Sequence, residues 1–133
     1  MKFSPAILVV DEDAGVRIER VRLLRGAAYC VSSAGDFREA VRALYTDPPD
    51  LLVTELRLGA FNGLHLVIRG HADHPEMAAI VLTNFPDPVL EAEAHRQDAA
   101  YVLKPVHPTA LLRIVSERLG FVERSPSRQD HQS

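Results

Sequence analysis

The stretch from Asp50 to Gly63, DLLVTELRLGAFNG, decides the fold. Leu51, Leu52 and Val53 are apolar without interruption, Thr54 is β-branched, and the run stops on an acid, Glu55, before a loop containing Gly59 and Gly63. A short, branched, non-alternating apolar run is the pattern of a strand buried on both faces of a parallel sheet. The same pattern recurs at Ala6-Ile7-Leu8-Val9-Val10, Ala79-Ile80-Val81-Leu82 and Tyr101-Val102-Leu103. A weaker, more alternating stretch from Ala27 to Ser32 suits an edge strand.

Helical periodicity fills the intervals. Asp13 is placed to cap a helix that turns Ala14, Ile18, Val21 and Leu24 inward. Asp36 and Glu39 have capping-box spacing ahead of Phe37, Ala40, Val41 and Leu44. Leu64, Val67 and Ile68 form a third stripe, Asp87-Pro88 opens a fourth helix reaching about Arg96, and Pro108 opens a fifth with Leu111, Leu112, Val115 and Leu119 inward and Gly120 as its stop. Strands and helices alternating in this order imply a three-layer α/β sandwich of five βα units, a (βα)5 fold.

The chain of 133 residues fits one domain, read as 1–121, followed by a polar, aperiodic segment over 122–133 that is expected to be a disordered tail. A net charge of -3 argues against non-specific nucleic-acid binding. The single cysteine, Cys30, rules out an intrachain disulfide, and its expected place is an edge strand. A reducing cytoplasm is the simplest setting, and the apolar N-terminal run is too short for a signal peptide or a membrane span.

Chemistry gathers where the apolar runs end. Asp11-Glu12-Asp13 follow Val10, Glu55 follows Thr54, Thr83 follows Leu82, and Lys104-Pro105 follow Leu103. An open parallel sheet binds its ligands at the carboxyl ends of its strands, so acids, a hydroxyl and an amine are delivered to one edge. Clustered carboxylates need a countercharge, which a hard cation such as Mg²⁺ or a lysine supplies. Lysine, hydroxyl and Mg²⁺ together are suited to holding a phosphoryl group during transfer to a carboxylate.

The motifs ILVVDED, DLLVTELRLGAFNG, IVLTN and YVLKP, in this order and spacing, resemble those of a response-regulator receiver domain, from Ala6 to Gly120. The resemblance implies a flavodoxin-like sheet of order 2-1-3-4-5 and a role in two-component phosphorelay signalling. It places Asp11 and Glu12 at the acidic pair that binds Mg²⁺, with the backbone of Arg57 as a further ligand. Glu55 falls at the phosphoacceptor position, Thr83 and Lys104 at the phosphoryl-sensing pair, and Tyr101 at the switch aromatic. It implies a cis Lys104-Pro105 bond, a histidine kinase or other signalling protein as partner, and output through the face of the fourth helix, fifth strand and fifth helix. Val89, Leu90 and Tyr101 to His107 border that face, and homodimerisation belongs to the same repertoire. Neither direct nucleic-acid binding nor membrane binding is expected, given the net charge of -3 and the short apolar runs.

Four departures bear on mechanism. Glu replaces the usual Asp at position 55 and also at position 12, Gly59 stands where Pro is common, and the Arg57 guanidinium competes for cation space. One added methylene displaces a carboxylate by about 1.5 Å at most, and an error of that size costs in-line transfer on the order of 100-fold. The resulting expectation is a non-enzymatic receiver in which Glu55 stands in for a phosphorylated Asp. The alternatives are a receiver still phosphorylated on Glu55 with Mg²⁺, and a small-molecule-binding flavodoxin-like module. The last is weakened by acids where a phosphate-binding glycine loop would lie. Reversion of Glu55 to Asp is expected to restore phosphorylation unless Glu12 and Arg57 spoil the metal site.

Simpler roles compete at several positions. Asp13 reads as a helix cap, Thr83 as a turn cap, Tyr101 as a strand aromatic, and Glu55 as a structural acid paired with Lys104 or Arg57. His71 and His74 have a metal-like spacing but lack further ligands, and His65, His95 and His107 read as surface or cap residues.

Overall fold

The computed structural model describes residues 4–132, with side chains described over 4–120. The main strands are β1 (Ala6–Val10), β2 (Cys30–Ala34), β3 (Leu51–Glu55), β6 (Ala78–Thr83) and β7 (Ala100–Leu103). A two-stranded hairpin, β4 (Arg57–Leu58) and β5 (Phe61–Asn62), follows β3. The helices are α1 (Ala14–Gly26), α2 (Phe37–Thr46), α3 (Gly63–Asp73), α4 (Pro88–Arg96) and α5 (Pro108–Gln132).

The main sheet has the order β2-β1-β3-β6-β7, and every pairing in it is parallel. With the hairpin set aside, this is the expected order 2-1-3-4-5. Consecutive residues of a strand face opposite sides of a sheet, so each apolar run builds two cores. Leu8, Val10, Leu52, Ala79 and Val81 face Ala40 and Leu44 of α2, Leu66 and Val67 of α3, and Ala94 of α4. Ile7, Val9, Leu51, Val53, Ile80 and Leu82 face Leu24 of α1 and Leu111, Val115 and Leu119 of α5. This double burial is why the central strands are apolar without alternation.

Caps set the helix starts. Asp13 accepts from Val16 N at 3.0 Å, Asp36 from Glu39 N at 2.8 Å, Asn62 from Leu64 N at 2.9 Å, and Asp87 from Val89 N at 3.1 Å. The capping box at α2 is displaced by one residue, because Glu39 Oε1 accepts from Gly35 N at 2.6 Å. Each cap satisfies backbone donors that the first turn leaves without partners.

Five local expectations need correction. The weak strand begins at Cys30 rather than Ala27, because α1 runs to Gly26 and Ala28 then turns with φ +73°. Cys30 is exposed at its start. Ile18 is 50% exposed and Ile68 43% exposed, because the inner faces of α1 and α3 are rotated toward Arg20 and Leu24 and toward Leu66 and Val67. The loop after Glu55 is a hairpin turning at Gly59, whose φ is +61°. Gly120 does not stop α5, which continues to Gln132, and Gly120 is not among the glycines with positive φ. The side chains of the expected tail, 122–133, lie outside the described residues.

Candidate functional site

Parallel pairing brings the ends of four strands to one edge. Asp11 follows β1, Glu55 closes β3, Thr83 closes β6 and Lys104 follows β7. Backbone bonds lock this register: Asp11 N donates to Ala34 O at 3.2 Å, Leu56 N to Leu82 O at 2.8 Å, and Lys104 N to Thr83 O at 2.7 Å. The Lys104-Pro105 peptide bond is cis.

Glu55 is the centre of an ion cluster. Its Oε1 accepts from Lys104 Nζ at 2.7 Å, and its Oε2 accepts from Arg20 Nη1 at 3.2 Å. The same Arg20 Nη1 donates to Asp11 Oδ2 at 3.1 Å. Asp11 Oδ1 accepts from Asp13 N at 2.9 Å, and Asp11 O accepts from Arg17 Nη1 at 2.6 Å. Two carboxylates and two cations thus form a chain, Lys104–Glu55–Arg20–Asp11. Arg20 is 9% exposed. No buried side-chain nitrogen or oxygen among the described residues lacks a partner. Burial pushes the Glu55 carboxyl above its ordinary value of 4.5, while the Lys104 hydrogen bond opposes that shift; Asp11 raises it and the charges of Lys104 and Arg20 lower it.

Gly63 fixes where Glu55 begins. A Cβ there would collide with the Glu55 carbonyl oxygen and stand 2.8 Å from Thr54 Cγ2. Gly63 N also donates to Leu56 O at 2.7 Å. The N-terminus of α3 is therefore pressed against the backbone at the end of β3.

The other residues singled out in the sequence lie differently. Glu12 is exposed, and a Cβ at Gly59 would meet its Oε2 at 3.2 Å, so its carboxylate lies by the hairpin. Thr83 Oγ1 accepts from Phe85 N at 3.2 Å and donates to Phe85 O at 3.4 Å, so it closes its own turn. Tyr101 is half-buried; its hydroxyl donates to Phe85 O at 3.3 Å and accepts from Asp87 N at 3.1 Å, tying β7 to the loop before α4. The Arg57 guanidinium lies over the Phe85 ring, 5.8 Å from its centroid. His71 Nε2 is 2.8 Å from Met77 O, a local contact. On the face of α4 and β7, Phe85, Val89 and Leu103 are exposed.

Arg20 is the member of the site that sequence reasoning missed. Its helix was read by its apolar residues, and a charged residue does not register on an apolar stripe. The available signal was spacing: Arg20 stands four residues before Leu24 and therefore on the same helical face.

The sheet order is that of a flavodoxin-like α/β fold, with an acid–lysine site at the carboxyl ends of the strands. The chain belongs to the response regulator receiver domain family, whose model matches residues 7–116. It is 33% identical over 123 residues to the DNA-binding response regulator MtrA of Mycolicibacterium paratuberculosis, covering 91% of this chain and 54% of that protein. It is 28% identical over 127 residues to the DNA-binding transcriptional regulator NtrC of Escherichia coli K12, covering 95% of this chain and 26% of that protein. The chain thus spans about half the length, or less, of these curated relatives. Among solved structures it resembles a CheY-like response regulator receiver domain protein from Methanospirillum hungatei JF-1, with a TM-score of 0.87 and 25% identity, covering 92% of this chain and 98% of that one.

Receiver domains are signalling modules that typically bind Mg²⁺ at the phosphorylation site. The donor set here does not fit that ion. Both Glu55 oxygens and Asp11 Oδ2 are already paired with cations, and Asp11 Oδ1 accepts a backbone amide. Among the described residues, no group of three or more His, Cys, Asp or Glu side chains could hold a metal. No helix among them is long and apolar enough to cross a membrane.

Proposed function

We propose that this receiver signals without being phosphorylated, with Glu55 standing in for a phosphorylated Asp. The observation that carries this reading is the engagement of both Glu55 oxygens, Oε1 by Lys104 at 2.7 Å and Oε2 by Arg20 at 3.2 Å. A nucleophile must present a free lone pair in line with the phosphorus. Each held oxygen keeps a second lone pair, so the obstacle is orientation: Lys104 and Arg20 fix the Glu55 carboxylate, and turning it into line loosens an ion pair within a largely buried cluster. The same contacts let an anion satisfy Lys104 permanently. A carboxylate carries less charge and fewer acceptor oxygens than a phosphoryl group, so the mimicry is partial.

Output in this reading is protein–protein contact at the face of α4, β7 and α5. The exposed Val89 and Leu103, with Phe85 beside them, support that choice. The partner class is a histidine kinase or another signalling protein, without direct nucleic-acid contact by this domain, in the cytoplasm.

Incubation with a small acyl phosphate and Mg²⁺, followed by intact mass measurement, tests the reading. No phosphate incorporation is expected. Ready, stoichiometric incorporation at Glu55 would overturn it and establish the Mg²⁺-dependent phosphoacceptor instead.

A further inference from the structure

We propose that Arg20 is the resident cation of this site: its guanidinium takes the place of the divalent metal and makes the receiver indifferent to Mg²⁺. The inference shares the Arg20–Glu55 contact with the proposed function but concerns the metal rather than the output.

Three observations converge on it. The first is position. Arg20 lies on the buried face of α1, four residues before Leu24, and one nitrogen, Nη1, bridges Asp11 Oδ2 at 3.1 Å and Glu55 Oε2 at 3.2 Å. A cation shared by the acid after β1 and the acid closing β3 neutralises the pair that would otherwise repel.

The second is charge balance. Asp11 and Glu55 are matched by Arg20 and Lys104, one cation for each anion. A divalent ion added to this neutral cluster would leave two excess positive charges in a site whose ion-paired side chains are at most 18% exposed. Glu12 is exposed beside Gly59 and is not a member of the cluster. Uncompensated charge in so enclosed a place is strongly disfavoured.

The third is chemistry. A guanidinium carries its donors in a fixed planar fork matched to carboxylates, so one side chain can serve Asp11 and Glu55 together. Its side chain is anchored on the helix, and the neighbouring Arg17 Nη1 holds the Asp11 carbonyl at 2.6 Å from the same helix. Arg20 therefore acts as a positioning residue, setting the separation of Asp11 and Glu55 that a metal would otherwise set.

Mg²⁺ titration at constant ionic strength, followed by amide NMR and thermal melting, tests the proposal on the native chain and on Arg20→Met. In the native chain, the amides of Asp11, Glu12 and Glu55 are expected to hold their shifts at millimolar Mg²⁺. Arg20→Met should bind Mg²⁺ at least about tenfold more tightly than the native chain and melt higher when it is added. Arg20→Gln, which keeps polar donors without the charge, is expected to behave in the same direction. Site-specific Mg²⁺ binding by the native chain would overturn the proposal with no variant needed. Folded variants that gain no affinity would overturn it too. If both variants unfold without Mg²⁺ and fold with it, the proposal is supported; if neither folds in either condition, it is overturned, because Mg²⁺ then cannot take the place of the guanidinium. Acyl-phosphate labelling of folded Arg20→Met at saturating Mg²⁺ tests the role of Glu55 separately: no label is expected there, and ready incorporation at Glu55 would overturn that role while leaving the cation proposal standing.

Discussion

Glu55 has a carboxyl that burial holds above 4.5 while Lys104 and Arg20 pull against that shift. The sign of its contribution to stability follows. Between 4.5 and the raised folded value, the native chain binds more protons than the unfolded one. The contribution from Glu55 is therefore fully present below 4.5 and is lost as pH rises through the folded value. Replacing Glu55 with Gln removes this dependence. Urea unfolding of the native chain and Glu55→Gln, from about pH 4 to about pH 7, should show the native chain losing stability relative to the variant, with a slope of at most about 1.4 kcal/mol per pH unit. A constant difference across that range would contradict the assignment. The sequence made Asp11, Glu55 and Lys104 legible because each directly ends a strand or follows one. The Thr83 hydroxyl turns to Phe85 and the Glu12 carboxylate lies by the hairpin, orientations not legible in the sequence because strand order fixes where a residue stands and not which way its side chain turns.

The junction of β3 and α3 is where one element limits another. Gly63 opens α3 against the Glu55 carbonyl and Thr54, with no space for a methyl group. Gly63→Ala must push α3 away from β3 or shift Glu55 from Lys104, and should cost about 1–3 kcal/mol in chemical denaturation. Alanine at Gly26, where a Cβ would meet nothing within 4 Å, is the matched control and should change stability little. A Gly63→Ala protein as stable as the control would show that the contact relaxes freely. The crowding is between segments distant in helical and strand register, so nothing in the spacing of LRLGAFNG reveals it. The β4–β5 hairpin was missed for a related reason: its strands are two residues each, below the length at which alternation can be read.

The molecule has two cores divided by one sheet, and neighbouring residues of β3 serve different ones. Leu52 packs toward α2, α3 and α4, while Val53 packs toward α1 and α5. Because both cores share the backbone pairings of β1, β3 and β6, they should fail together. Leu52→Ala is expected to cost about 2–5 kcal/mol, and Val53→Ala somewhat less because fewer methyl groups are removed. Both should lower the urea midpoint in a single transition with an unchanged m-value. Separate transitions for the two faces would refute that coupling. This double burial was the most readable property of the chain, since it is what makes AILVV, LLV and AIVL continuously apolar. The inward faces of the outer helices were less so: Ile18 and Ile68 look like core residues by type, yet lie on the outer side.

The bridge from Arg20 to Asp11 and Glu55 also constrains the routes by which this chain could be converted into a phosphorylatable receiver. Glu55→Asp alone shortens the acid by about 1.5 Å, withdrawing it from Lys104 and Arg20 while Arg20 still fills the gap to Asp11. Losing Arg20 alone leaves two acids sharing Lys104. Each single step is therefore expected to lower stability without restoring phosphate uptake. Glu55→Asp combined with Arg20→Met should exceed the sum of the two in acyl-phosphate labelling. An additive result would show that the two positions can change independently. Strong epistasis would mean that a one-residue reversion meets a valley, and that the unphosphorylated state of this site is guarded by a helix residue far from it in the chain.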